Sequence, residues 1–521
     1  MKRSLFALPF ILAVALAGCS KFTRDNLFSD TENDASILTK SEPATEGPFE
    51  CERSDNPVDY YFITPETASD FVTVRFPDQT VAEATAIVEK DATVYLFNFE
   101  KGWAVVSSDK RTQAVLAFNK DNSLAVNGLK SEPLSYWFEL ILDELSALRK
   151  YNPDIKNEHT KMWEDFEKQK YYRYDVEDED QQITKGPGDG EEHHLWAKIL
   201  VGSVLWGEQT VTDIGHLIST KWGQDYPWNV SMPIIGDTGY KMLTGCTAVA
   251  VSQLLYYYHN HIGYPSYLYH DSFSTTDYHI LSPSPDISGY AFVSMSRGSK
   301  IDPSSRWDDM ALTQSSNGNS NRFKYVSDLM LDIGDLVDMQ YSFEYFSVQD
   351  SIWRASGTTN TIIKAKSALY DYGLTCSDRN YRLQEIVTDL QNNRPLFIRG
   401  SQNSSSSGHS WIIDGYQERS LTYKNHYMWF LIDDPDGQLW EQCDVIDEDP
   451  TSIHYEGEEE YSYDLVTERF LKFNWGWNGF HDDTFASLGT SGEWQSQGFN
   501  SSTTQILHNI IKQGGYQPGV L

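Results

Sequence analysis

Residues 244–259, TGCTAVAVSQLLYYYH, constrain this chain more than any other stretch. Val251, Leu254, Leu255 and Tyr258 stand at spacings of three, four and seven, which is one apolar face of a helix. Cys246 opens that helix directly behind a glycine. A thiol in a first helical turn meets unpaired backbone N–H groups and the positive end of the helix dipole, and both favour the nucleophilic thiolate. An inert core cysteine at the start of a core helix has the same pattern. The reading therefore turns on whether the chain supplies a base.

Two later segments supply one and a means of orienting it. Residues 394–400 read as a strand, a Ser-rich loop follows to 407, and residues 408–416, GHSWIIDGY, read as a second strand. His409 thus falls where a polar loop enters a buried strand, a place that holds an imidazole at a cleft edge. Residues 470–479, FLKFNWGWNG, open as a strand and end in a Trp/Gly turn. There the side-chain oxygen of Asn474 is the candidate acceptor for the imidazole N–H, completing a Cys-His-Asn triad in papain order. Trp475 is placed to shield that bond from water. The oxyanion of an acyl transfer needs donors, and the Cys246 amide and Gln224 are the candidates.

Composition narrows the partners. The 521 residues carry a formal charge of −34, which repels nucleic acid and anionic lipid headgroups. The first residues look like a targeting segment: Lys2 and Arg3, then an apolar run too short to span a bilayer, then Leu16-Ala17-Gly18-Cys19. That ending resembles a bacterial lipoprotein signal, in which the new N-terminal Cys19 is lipidated. Cys51, Cys376 and Cys443 are left beside Cys246, without metal-ligand spacing and in odd number, so neither a zinc site nor a disulfide framework is expected. The 433–437 DDPDG turn lacks the distal acid of a calcium loop, and His193, His194, His259 and His261 lack partner ligands. No metal and no cofactor are expected.

Along the chain, residues 20–55 read as a flexible tether. Residues 71–76 alternate as a strand, 81–88 fit a short helix, 93–99 and 102–108 form a hairpin, and 133–150 are an amphipathic helix. An acidic run at 174–180 and Gly/Pro residues at 185–190 mark a linker, the kind of segment proteases cut. The remainder reads as one large domain, with long insertions at 266–300 and 417–465.

Taken together, the residues resemble the streptopain family, papain-like secreted bacterial cysteine peptidases. The likeness rests on TKWGQDYPWN at 220–229, GCTAVAVSQ at 245–253, GHSWIIDGY at 408–416 and NWGWNG at 474–479, in family order. RWDDM at 306–310, Ile333-Gly334 with Met339, and Asn393-Arg394-Pro395 agree. Ser410-Trp411 departs from the slimmer residues usual after the histidine. The resemblance implies an α+β papain-like fold, helices carrying the cysteine and antiparallel sheet carrying His and Asn, behind a small α+β propeptide. It implies Cys246 as nucleophile, His409 as general base and acid, Gln224 in the oxyanion hole, and Asn474 with Trp475 orienting and covering His409. GWAVVSSDKR at 102–111 looks like the family propeptide, an inhibitor of the zymogen.

The expected organisation is a signal peptide at 1–18, a tether at 19–55, an inhibitory propeptide at 56–155, a linker or activation region at 156–194 and a peptidase domain at 195–521. The expected protein is an endopeptidase acting on proteins or peptides. It would touch the membrane only through Cys19, at a bacterial outer membrane or cell surface. A silent surface lipoprotein that binds protein or glycan, and an amidase or transglutaminase-like acyl transferase on the same triad, are the alternatives.

Overall fold

The computed structural model describes residues 60–129, 134–166, 169–175, 193–234, 241–266, 268–283, 287–301, 304–315, 321–346, 352–358, 362–380, 382–401, 408–432, 444–445, 459–487 and 505–513. The expected signal peptide, Cys19, the expected tether, the Gly/Pro stretch 185–190 and the 433–437 turn lie outside these residues.

The C-terminal part is built round the cysteine helix, Cys246–Ile262, which ends at Gly263 with φ 68° and its N–H on the Tyr258 carbonyl. Val251, Leu254, Leu255 and Tyr258 are buried with the helices Asn321–Leu336 and Ile362–Asp371. Facing them is antiparallel sheet, in which the strand Gly408–Ile432 lies between Leu396–Ser401 and Glu459–Asn474. Register sets Gly400 opposite His409 and Ile412 opposite Asn474. Phe397, Ile412, Leu507 and Ile510 join sheet to helix in one core. This is the expected α+β, papain-like division, with Cys246 on the helical side and His409 and Asn474 on the sheet.

The sheet continues into the N-terminal part. Phe485–Ala486 pairs on one side with Glu459–Asn474 and on the other with Val115–Asn119. Beyond it follow Trp103–Ser107, Ala92–Phe99 and Val81–Glu89, all antiparallel. The helices Pro65–Arg75, Leu134–Tyr151 and Glu158–Phe166 bury their apolar faces in cores shared with these strands.

Two local expectations exchange places. Residues 71–76 complete a helix rather than a strand: Thr64 caps it through Oγ1 to the Thr67 N–H, Pro65 sits at its first turn, and Ala68, Phe71, Val72 and Arg75 form the buried stripe. Residues 81–88 lie in a strand rather than a helix, because Lys90 and Asp91 both take positive φ (52° and 61°) and turn Val81–Glu89 back onto Ala92–Phe99. The expected linker is partly regular structure as well. Glu158–Phe166 is a helix, and Gln169–Asp175 is a strand paired with His193–Ile214.

The two insertions serve different ends. Leu268–Pro283 and Ile287–Ile301 form a hairpin in a separate four-stranded sheet. The 417–465 insertion instead lengthens the histidine strand and its neighbour into an arm. Leu421, Tyr423, Val466 and Phe470 on its inner side pack with Phe71, Trp163 and Phe166 of the N-terminal part.

Candidate active site

Gly245 takes φ 85° and ψ 142°, a conformation open to glycine, and brings no side chain to cap the helix behind it. The positive end of the helix therefore faces the half-buried Cys246 thiol. Just upstream, the Thr244 N–H donates to the Gln224 carbonyl at 3.0 Å, which ties the Gln224 loop to the approach of the cysteine. The loop is fixed again by Asn229 Nδ2 on the Met242 carbonyl at 3.0 Å. Gln224 is buried beside this approach.

Helix and sheet meet one residue along from each candidate. Thr247 Oγ1 and Ser410 Oγ lie 3.0 Å apart, both buried, so Cys246 and His409 stand on either side of one contact. His409 Nε2 is 3.1 Å from the Trp475 carbonyl. A carbonyl only accepts, so Nε2 carries the hydrogen, which leaves Nδ1 as the nitrogen that can take up or give up a proton. The bulky Trp411 noted in the sequence lies nearly parallel to His409, ring centroids 5.7 Å apart at 16°, and is itself buried against Trp475 at 5.4 Å.

Asn474 does not accept from His409 as expected. Its Oδ1 accepts from Gln253 Nε2 at 2.9 Å and from the Gly476 N–H at 3.1 Å, and its Nδ2 donates to the Thr220 carbonyl at 2.8 Å. The Gly476 N–H and the Trp475 carbonyl belong to the same peptide plane. Asn474 therefore reaches the imidazole through one intervening peptide, holding its N–H while its carbonyl holds His409.

The sequence motif gives Gln253 no role. On the cysteine helix it accepts from Thr220 Oγ1 at 2.8 Å and from the Trp222 N–H at 3.3 Å, and donates to Asn474. Thr220, Gln253 and Asn474 thus close a fully buried ring that joins the Gln224 loop, the cysteine helix and the histidine support. The Trp/Gly turn adds another clasp, for the Asn478 side chain accepts from Trp228 Nε1 and donates to Asp225 at 3.0 Å. A Cβ on Gly223 would run into that Asn478 side chain, so the loops approach closely only because the residue is glycine.

The profile of the Peptidase C10 family matches residues 222–430, which hold Gln224, Cys246 and His409. Over this segment the chain reads as a C10-type peptidase. It is a cysteine endopeptidase with the fold described above. A second profile, the Spi protease inhibitor, matches residues 51–144. Among solved structures, a fragment of prointerpain A from Prevotella intermedia is similar at 17% identity and TM-score 0.43, covering 82% of this chain and 98% of that one. Active interpain A cysteine protease from the same organism is similar at 19% identity and TM-score 0.31, covering 57% and 94%. No curated protein matches the chain.

The segment matched by the inhibitor profile reaches the site itself. Tyr136, on the helix Leu134–Tyr151, lies over His409 with ring centroids 5.2 Å apart at 19°. His409 is left 2% exposed. The neighbouring Trp137 donates from Nε1 to the Ser487 carbonyl at 2.6 Å and shares the core of Trp411, Phe473 and Trp475.

The helix Glu158–Phe166, beyond the segment matched by the inhibitor profile, contains an acid-sensitive group. Burial, with help from the Arg469 charge, lowers the His159 pKa to about 4 from the usual 6.5, and its buried Nδ1 has no hydrogen-bond partner. The unfolded chain takes up this proton near pH 6.5 and the folded chain only near pH 4. Stability is therefore expected to be full above pH 6.5 and to fall as pH drops towards 4, by up to about 3 kcal/mol. Melting curves of the uncut chain at pH 7 and pH 4.5, beside a His159→Gln variant, check this. The variant should lose less on acidification.

Proposed function

We propose that the chain is a secreted, lipid-anchored zymogen in which Cys246 is the nucleophile and His409 the general base and acid. The observation that carries the reading is the 3.0 Å contact between Thr247 and Ser410, the immediate neighbours of those residues, with His409 turned so that Nδ1 is the nitrogen that can exchange a proton. His409 takes the thiol proton and the thiolate adds to the peptide carbonyl. The negative charge gathers on oxygen, where the Cys246 amide and the Gln224 side chain donate. His409 then protonates the leaving amine, the C–N bond breaks, and a thioester remains. Water, giving its proton to His409, displaces the thiol and releases the acid.

The N-terminal domain is read as the intramolecular inhibitor, with Tyr136 occupying one face of the base until maturation removes it. The basic start, the short apolar run and Leu16-Ala17-Gly18-Cys19 support lipidation at Cys19 and a place at a bacterial outer membrane or cell surface. The charge of −34 argues against nucleic acid as a partner.

A thiol-directed epoxide tests the assignment, with Cys376 as internal control, because burial pushes the Cys376 thiol up to about 12. The expected result is a single label at Cys246, appearing far more slowly before activation than after it. Equal labelling of both cysteines, or none at Cys246 in the activated chain, overturns it. Product analysis of a peptide substrate with an added amine separates hydrolysis from acyl transfer.

A further inference from the structure

We propose that Asp482 is a positioning residue for His409, acting through the backbone of Trp475. The inference rests on the catalytic reading above. Trp475 is held at three points. Its N–H donates to Asp482 Oδ1 at 3.0 Å, its indole Nε1 donates to the His481 carbonyl at 3.2 Å, and its carbonyl accepts from His409 Nε2 at 3.1 Å. Asn474 holds the peptide on the far side through the Gly476 N–H. Asp482 is thus the counterpart of Asn474: the two side chains grip the peptide planes on either side of the Trp475 Cα. The direction of the Trp475 carbonyl, and with it the plane of the imidazole, is fixed only if both grips hold.

Asp482 brings what Asn474 does not, an ionisable group, 4% exposed and joined to His409 through the Trp475 backbone. The charged groups around it are known. Asp414, fully buried on the histidine strand, accepts from the Ile218 N–H at 3.3 Å and bonds His216 Nδ1 at 2.9 Å. His216 and Lys221 act on Asp482 from the segment before the cysteine helix, and His481, kept neutral by burial to about pH 4, precedes it. Burial outweighs the Trp475 N–H and, with the Asp414 charge, raises the Asp482 pKa to about 7, against the opposing pull of His216 and Lys221. Ionised, the carboxylate adds negative charge to that link and favours the imidazolium of a thiolate–imidazolium pair. Protonated, it withdraws that support while its oxygen still accepts from Trp475.

Asp482→Asn separates the two contributions, because the amide keeps an acceptor oxygen for the Trp475 N–H and never carries charge. kcat and KM on a peptide substrate are measured from pH 5.5 to 8.5 for the full-length chain activated by limited proteolysis, parent beside variant. The parent's kcat should rise through a step near pH 7 that the variant lacks. The variant should match the parent within about twofold at pH 5.5 and fall about tenfold below it at pH 8, with KM unchanged. A variant profile that superimposes on the parent's, or a loss equal at every pH, overturns the inference. Melting curves identify a variant that has lost its fold, and Asp482→Glu, which restores the charge, should recover the step. If the activated parent itself hydrolyses nothing, the catalytic reading fails instead.

Discussion

Replacing Cys246 by alanine is expected to lower hydrolysis of casein by the activated chain on the order of 10⁴-fold or more, the scale seen when a nucleophile is removed from a triad that works as a unit. The reasoning is structural. The thiol stands half-buried at the open end of the helix Cys246–Ile262, and no other described side chain combines a thiol with that position, since Cys376 lies elsewhere with its proton held by burial. His409→Ala should cost nearly as much, because a thiol without its base loses the proton acceptor that Nδ1 provides, and the double variant should be little worse than either single one. The chain should still fold, because Cys246 begins its helix rather than filling its core. Initial rates on casein, with melting curves as control, check all three statements. A Cys246→Ala chain that cleaves at the parent's rate would end the catalytic reading.

The cysteine helix was readable from its own residues, because Val251, Leu254, Leu255 and Tyr258 repeat at helical spacing over about two turns. His409 was readable because strand, Ser-rich loop and strand follow one another along the chain. Short windows were less informative. Six alternating residues at 71–76 satisfy a strand and the inner turns of a helix alike, and the capping by Thr64 and Pro65 decides between them. The turn that makes a strand of Val81–Glu89 rests on positive φ at Lys90 and Asp91, residue types that do not announce it. The ring of Thr220, Gln253 and Asn474 could not be read at all, since it joins side chains up to 254 positions apart. Asn474 was placed at the right turn and given the wrong bond, because only the folded backbone shows that the Trp475–Gly476 peptide stands between it and the imidazole.

Arg75→Ala is expected to weaken the hold of the inhibitor-like domain by about 3–5 kcal/mol, raising exposure of the site in the uncut chain by roughly 10²- to 10⁴-fold. Arg75 Nε and Nη2 meet the two oxygens of Glu468 at 3.1 and 2.7 Å, a two-pronged pair across the domain boundary with both side chains nearly inaccessible. Glu208, 3.7 Å from Arg75, is held in turn by Arg419 at 3.0 Å. The guanidinium from the N-terminal domain therefore sits between two carboxylates of the peptidase. Removing it leaves Glu468 buried and uncompensated, and opening relieves that cost by returning the carboxylate to water. The rate at which a thiol-directed epoxide labels Cys246 in the intact chain reports opening. A paired Arg75→Met, Glu468→Leu variant separates charge from packing, because two apolar groups of similar size leave no stranded charge and should hold labelling within about tenfold of the parent. If Arg75→Ala alone labels within threefold of the parent, this ion pair contributes little to latency. The grip on the site would then rest on the aromatic contacts of Tyr136 and Trp137.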